Sequence, residues 1–198
     1  GGGGGRGPAL DPATLPAEYR SRVGRVTVAT TVPRILDFAR KGGAVIALGT
    51  SANLALHTGL PITDHMVKDG QPLATLDYFI PGTLIDMKIE HVTPLTAGMG
   101  TYAPVMFSRS PTFRLGAGAA AQGVKKIGWY DSDKPLRSGW AWGQQYLKDG
   151  VGAMEVNFGE GKLFLFGPEL TFRSQPHGMF PLVFNGIYYG TAKNRPVS

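Results

Sequence analysis

The sequence predicts a single α/β domain on a mixed, mostly parallel sheet, and three observations carry that expectation. The stretch "TVPRILDFARKGG" has helical spacing and runs directly into "AVIAL", five apolar residues bounded by glycine, and then into "SANLALHTG". Several strand-like runs follow and close with an apolar hairpin. A last amphipathic stretch, "HGMFPLVFNGIYYG", ends the chain. A continuous apolar run reads as a parallel strand buried on both faces, and helix–strand–helix followed by strands and a helix argues layers of both kinds.

In chain order, residues 1–30 read as an extended Gly/Pro-rich arm or linker, and residues 31–198 as the domain. Thr31 suits a helix cap and Pro33 a first turn. Ile35, Leu36, Phe38 and Ala39 form the apolar stripe, and Gly42 with Gly43 stops it. After "AVIAL", a helix over "SANLALHTG" ends at Gly59, with Pro61 beyond. "DYFIPGTLIDMKIEHV" holds a Pro-Gly turn and then a strand with Leu84, Met87 and Ile89 set against Asp86, Lys88 and Glu90. "TYAPVMFS" and "VKKIGWY" read as two more strands. In "GAMEVNFGEGKLFLFGP", two strands flank Gly159-Glu160-Gly161 as an antiparallel hairpin. Phe180, Leu182, Val183, Phe184 and Ile187 are the residues through which the last helix would pack on the sheet.

Composition narrows the function classes. A chain of 198 residues holds one well-buried core. Its net charge of +6 is spread over Arg20, Arg22, Arg25, Lys41, Lys125, Lys126 and Lys162, with no block of like charge, so nucleic acid is not the expected partner. With no cysteine, disulfides, thiolate metal sites and a cysteine nucleophile all drop out. No apolar run approaches the roughly 20 residues that a membrane-crossing helix needs. The opening "GGGGGRGPALDP" lacks an initiator Met and reads as a linker cut from a longer protein.

Metal and phosphate sites are not expected. His57, His65, His91 and His177 match no zinc spacing, and His65 with Asp64 and Asp69 reads as a solvated loop. "GTSANL" lacks the lysine of a phosphate loop, and "LGAGAAAQG" reads as a loop of small residues. No cofactor is expected. The densest aromatic cluster lies in residues 129–146, where Trp129, Tyr130, Trp140, Trp142 and Tyr146 accompany Lys134 and Arg137. It offers a stacking platform for a partner, a sugar ring or a peptide.

One segment, residues 40–62, has the strand–turn–helix form that presents a nucleophile, with Ser51 at the turn. It resembles the nucleophile elbow of the class I glutamine amidotransferase-like superfamily, whose pattern is strand, G-x-C-x-G, helix. Here "GTSAN" places Ser51 at the cysteine and Asn53 at the second glycine. The family's later His-Pro-Glu corresponds to Gly167-Pro168-Glu169, so the carboxylate Glu169 is kept while glycine stands at the histidine. Without an imidazole beside it, the Ser51 hydroxyl has no general base. A longer resemblance covers most of the chain. "LDFARKGGAVIALGTSANLAL", "DYFIPGTLI", "LRSGWAWGQQYL" and "GEGKLFLFGPELTFRSQPHGMFPLVFNGIYYG" are similar to the C-terminal amidotransferase-like domain of large bacterial zinc carboxypeptidases, without the peptidase domain.

That resemblance implies a flavodoxin-like fold flanked by helices, no catalysis and an extracytoplasmic location. Binding is then the expected job, as an accessory subunit of a larger complex, a membrane-bound energy-converting or photosynthetic one included. Gly1, Gly2, Gly3, Gly4, Gly5 and Arg6, with Trp129, Tyr130, Trp140 and Trp142, are the expected contacts. The alternatives are a serine hydrolase using Ser51 with Glu169 and His177, and a glycan- or peptide-binding module on the aromatic loop.

Overall fold

A computed structural model describes residues 11–192 apart from Arg25. The expected contacts Gly1 to Gly5 and Arg6 lie outside those residues. The chain opens with α1 (Ala17–Arg20) and α2 (Thr31–Arg40), then enters β1 (Ala44–Leu48) and a 3-10 run, Gly49–His57. The strands that follow are β2 (Ile62–Asp64), β3 (Val67–Lys68), β4 (Gln71–Pro72), β5 (Thr83–Ile89), β6 (Tyr102–Phe107), β7 (Phe113–Leu115), β8 (Val124–Trp129) and β9 (Leu136–Ser138). The hairpin β10 (Val151–Phe158) and β11 (Gly161–Phe166) precedes the last helix, α3 (Phe180–Gly190).

Nine strands form one sheet whose main path runs β1-β11-β10-β8-β5-β6, with β2, β7 and β9 branching from it. Only β1 with β11 is parallel among the described residues, and every other pair is antiparallel. This corrects the expected flavodoxin-like, mostly parallel arrangement. A parallel sheet needs a crossover of a dozen or more residues between successive strands, whereas tight turns return the chain alongside itself. Between β5 and β11 this chain supplies turns and 3-10 segments in place of crossover helices. Among the described residues, α2 and α3 alone reach ten residues. The result is a strand-rich, branched mixed sheet rather than an amidotransferase-like layer structure. It lends no support to a periplasmic or carboxypeptidase context.

The expected hairpin is present, in register from Phe158↔Gly161 to Ala153↔Phe166. Its apolar run is explained by burial on both faces. Phe164 and Phe166 join one core with Ile85, Met87, Ile127 and Leu182, while Leu163 and Leu165 join another with Leu36, Ala39, Met154 and Val156. Successive strand side chains point to opposite faces, so a strand between two cores must be apolar throughout. Each such side chain contributes about 1.5–3 kcal/mol on leaving water. The helices α2 and α3 cover opposite faces at the β1–β11 end.

Smaller corrections follow from local physics. The segment after β1 is a 3-10 run from Gly49 rather than an α-helix, with Leu48 in the N-cap position. In β5 the buried face is Thr83, Ile85, Met87 and Ile89, and Leu84 shares the outer face with Asp86 and Lys88. In α3, Leu182 is buried as expected, whereas Phe184 and Ile187 are exposed.

Candidate functional site

The strands β1 and β11 end side by side because they run parallel, with Leu48 opposite Phe166. Two turns therefore meet at one end of the sheet. Gly49 leaves β1 with φ of 56°, a left-handed conformation that favours glycine. After β11, the Gly167 amide donates to Gly152 O at 2.8 Å and the Glu169 amide to Met106 O at 3.0 Å. Glu169 is thereby brought onto the turn that carries Ser51. A Cβ placed on Gly49 would lie 2.8 Å from Glu169 Cδ. Glu169, the carboxylate that the related motif keeps, therefore lies against the turn that carries Ser51.

The remaining parts of a relay are not assembled around it. Ser51 is exposed, and its hydroxyl makes no hydrogen bond among the described residues. At Gly167, a Cβ would run into the carbonyl of Pro111, with its carbon 3.0 Å away, so this backbone leaves no room for the imidazole of the related motif. His57 closes the 3-10 run and is exposed. His177 packs against Phe180, ring centroids 5.2 Å apart, and lines a different cleft with Leu84, Met106 and Gln175. None of the described histidines is hydrogen-bonded to Ser51, and the carboxylate of Glu169 lies against Gly49, two residues before it.

Beside this turn lies a cleft of about 580 Å³ that includes Thr50, Asn53, Asp64, Tyr78, Phe79, Ser108, Arg109 and Thr112. Its rim cation, Arg109, has φ of 50° and lays its guanidinium 5.0 Å from the Phe79 ring centroid. Ser108 Oγ donates to Pro81 O at 2.9 Å, and the Ser108 amide donates to Ser110 Oγ at 3.1 Å. Burial, assisted by the Asp64 carboxylate, pushes the Tyr78 hydroxyl well above the ordinary tyrosine range. Such a wall can hold polar groups.

One ionisable group that sequence reasoning passed over lies inside the sheet, and one it read as part of a solvated loop is partly buried. Glu155 is fully buried, takes hydrogen bonds from Lys125 Nζ and Tyr189 OH, each at 3.2 Å on Oε1, and leaves Oε2 without a partner. The signal for it was a lone charge in the apolar strand "VGAMEVNF". His65 Nε2 lies 3.0 Å from Lys148 O while Nδ1 is buried and unpaired. Burial first, and then the Arg114 charge, hold its pKa below the usual histidine value. Among the described residues, no three His, Asp or Glu side chains group as a metal site, and no helix is long and apolar enough to cross a membrane.

The four aromatics expected at a partner surface divide into two pairs. Tyr130 is in the core, edge-on to Phe107 at 5.9 Å. Trp129 is half-buried on β8 beneath Lys126, whose Nζ is 3.7 Å from the ring centroid. Trp140 and Trp142 remain at the surface, 55% and 56% exposed. They are held in place: the backbones of Phe79 and Trp142 exchange hydrogen bonds of 3.0 and 3.1 Å, Trp142 Nε1 donates to Leu76 O at 2.6 Å, and Trp140 packs edge-on to Phe79 at 5.9 Å.

Neither a family model nor a curated protein matches this chain. Among solved structures, a β-galactosidase from Bacillus circulans sp. alkalophilus is similar over 81% of this chain and 20% of its own, at 12% identity and a TM-score of 0.49. A cytoplasmic protein from Salmonella typhimurium is similar over 82% of this chain and 61% of its own, at 14% identity and a TM-score of 0.47. The chain thus spans a fifth of the first and under two thirds of the second, a likeness too distant to speak of activity.

Proposed function

We propose that this domain binds a protein partner without transforming a substrate, as an accessory unit of a larger assembly. The observation that carries the reading is the Trp140–Trp142 rim. Two large aromatic rings stand more than half exposed, yet Trp142 is tied by its backbone to Phe79 and by its indole N–H to Leu76, and Trp140 packs edge-on to Phe79. Rigid, exposed aromatic side chains lose little conformational freedom on binding, which is why tryptophan is enriched among interface anchors. Leu76, also strongly exposed, extends the same surface.

The test compares the wild type with a Trp140→Ala/Trp142→Ala variant in mild co-purification. A stoichiometric partner retained by the wild type and lost by the folded variant is expected. A wild type that always runs free of other polypeptides overturns the reading. Labelling of Ser51 by a fluorophosphonate probe, abolished in Ser51→Ala, would favour the hydrolase alternative instead.

A second reading rests on Phe79, which belongs both to the rim and to the polar cleft of Arg109 and Ser108. Rings beside hydroxyls and a cation suit a glycan or peptide as well. A saturable change in tryptophan fluorescence on titration with cell-wall glycans or peptides would favour it.

A further inference from the structure

The cleft beside the Gly49 turn has two charged side chains on its wall, Arg109 and Asp64. Neither enters an ion pair among the described residues. Arg109 is nonetheless held. Its backbone sits in the left-handed region, at φ of 50°, with its amide donating to Ile80 O at 3.0 Å. A residue other than glycine keeps that conformation where its surroundings impose it, and such positions gather at ligand clamps. The guanidinium lies over the Phe79 ring, 5.0 Å from its centroid. Stacking uses the flat face of a guanidinium and leaves its N–H edge free to grip a carboxylate with two parallel bonds.

Asp64 limits which anion can enter. Its Oδ1 accepts from the Met66 amide at 2.8 Å, and its charge reaches the Tyr78 hydroxyl on the same wall. One cation and one anion leave the cleft without net charge. A monoanion can pair with Arg109, whereas a second negative charge would find no cation of its own and would face Asp64. Phosphate esters and dicarboxylates are disfavoured on that ground. The rest of the wall is mixed. Met66, Leu73, Ile80 and Pro111 are apolar, while the Tyr78 hydroxyl is buried with no hydrogen-bond partner among the described residues. A volume of about 580 Å³ is that of a small-molecule site.

We infer that this cleft binds a small monocarboxylate with an apolar group, its carboxylate on the Arg109 fork and its apolar group against Leu73, Phe79 and Ile80. Binding here rests on the second reading above, which places a ligand in this cleft, and narrows it. Arg109 lies over Phe79 and Trp140 packs against the same ring, which favours an anion held by the cation over a sugar stacked on the ring. A free acid and the end of a peptide chain present the same carboxylate, and the ligands of the test separate them.

The full chain is titrated with 3-phenylpropionate, its uncharged amide, succinate and N-acetyl-alanyl-phenylalanine, and binding is followed by nuclear magnetic resonance at the Ile80 and Thr112 amides. Saturation by 3-phenylpropionate is expected with a dissociation constant on the order of a millimolar. The amide and succinate should bind about tenfold more weakly or worse. Tighter binding of N-acetyl-alanyl-phenylalanine than of 3-phenylpropionate supports a peptide end as the source of the carboxylate, and weaker binding supports a free acid. Arg109→Asn, which places a residue that tolerates the left-handed backbone, should abolish the preference for acid over amide. Asp64→Asn keeps an acceptor for the Met66 amide and should bring succinate close to 3-phenylpropionate. Equal binding of acid and amide by the wild type overturns the proposal, as does an undiminished preference in Arg109→Asn or continued exclusion of succinate by Asp64→Asn. So does a lack of saturation by either monocarboxylate up to about 20 mM. The second reading is judged apart from these outcomes: glycans or uncharged peptides that still saturate the tryptophan signal keep it, and its loss as well removes the cleft as a binding site.

Discussion

Glu169 occupies the space that a side chain at Gly49 would need: an ideal Cβ on Gly49 falls 2.8 Å from Glu169 Cδ, where φ is already 56°. Two separate penalties attach to Gly49→Ala, the left-handed backbone and the collision with the carboxylate. Together they are expected to cost about 2–4 kcal/mol of stability in urea unfolding. Adding Glu169→Ala removes the collision but not the backbone strain. The double variant should therefore recover part of the loss, and equal losses in single and double variants would show that the carboxylate is not what fills the space.

Gly167→His would restore the residue that the related motif carries, and it is expected to harm rather than activate. The new Cβ meets the carbonyl of Pro111 while the Gly167 amide is held by Gly152 O at 2.8 Å, so the backbone must shift at a buried turn. A loss of more than about 3 kcal/mol and no gain of ester or amide hydrolysis are expected. A melting temperature near that of the wild type would mean that the turn has room after all.

Lys125→Met should destabilise more than Glu155→Gln. Removing the lysine leaves a fully buried carboxylate with Tyr189 as its remaining donor, whereas the glutamine exchange removes the charge that needed compensation. The expected costs are about 1–3 kcal/mol for the first and less for the second, with strong coupling in the double variant. Chemical denaturation of the four proteins measures it.

Stability should fall on the alkaline side for reasons located in three rings. Burial raises the pKa of Tyr78, Tyr130 and Tyr189, with added repulsion from Asp64, Tyr78 and Glu155 respectively. A raised folded value means that the native state holds its protons longer than the unfolded chain. The contribution is thus complete below the unfolded value of about 10 and is lost as pH climbs through the folded values. The Tyr130 hydroxyl is buried without a partner. Tyr130→Phe should therefore be close to neutral at pH 7, within about 1 kcal/mol, and shift the alkaline unfolding transition to higher pH. An unchanged transition would place the sensitivity elsewhere.

Residues 31–48 and the C-terminal hairpin were legible in the sequence because their signals are local: a helical stripe stopped by two glycines, an apolar pentapeptide, and strands around Gly159-Glu160-Gly161. Strand direction was not legible. Whether "AVIAL" starts a parallel sheet or a single parallel pair depends on where each later strand returns, and no local pattern encodes that. The parallel pairing of β1 with β11 is what brings Glu169 against the turn that carries Ser51, which motif order alone does not show. Trp129 and Tyr130 were read with Trp140 and Trp142 as one exposed group because composition alone cannot tell a strand from the loop beyond it. Tyr130 continues β8 into the core, while Trp142 is bridged to Phe79 at the surface. Glu155 was overlooked because a charge in a strand ordinarily signals the wet face.

Among the described residues, the one strand that pairs with β1 arrives late. Ala44 pairs with Lys162, a separation on the order of a hundred residues, and such distant contacts are slow to form. During translation, the first strand of the main sheet leaves the ribosome long before β11 exists, and it waits as an unguarded apolar ribbon until synthesis is nearly finished. Premature termination anywhere ahead of the hairpin should consequently yield sticky, protease-sensitive fragments rather than a smaller stable unit. A chaperone that shields this ribbon would act on the nascent chain and become dispensable once the hairpin has been made.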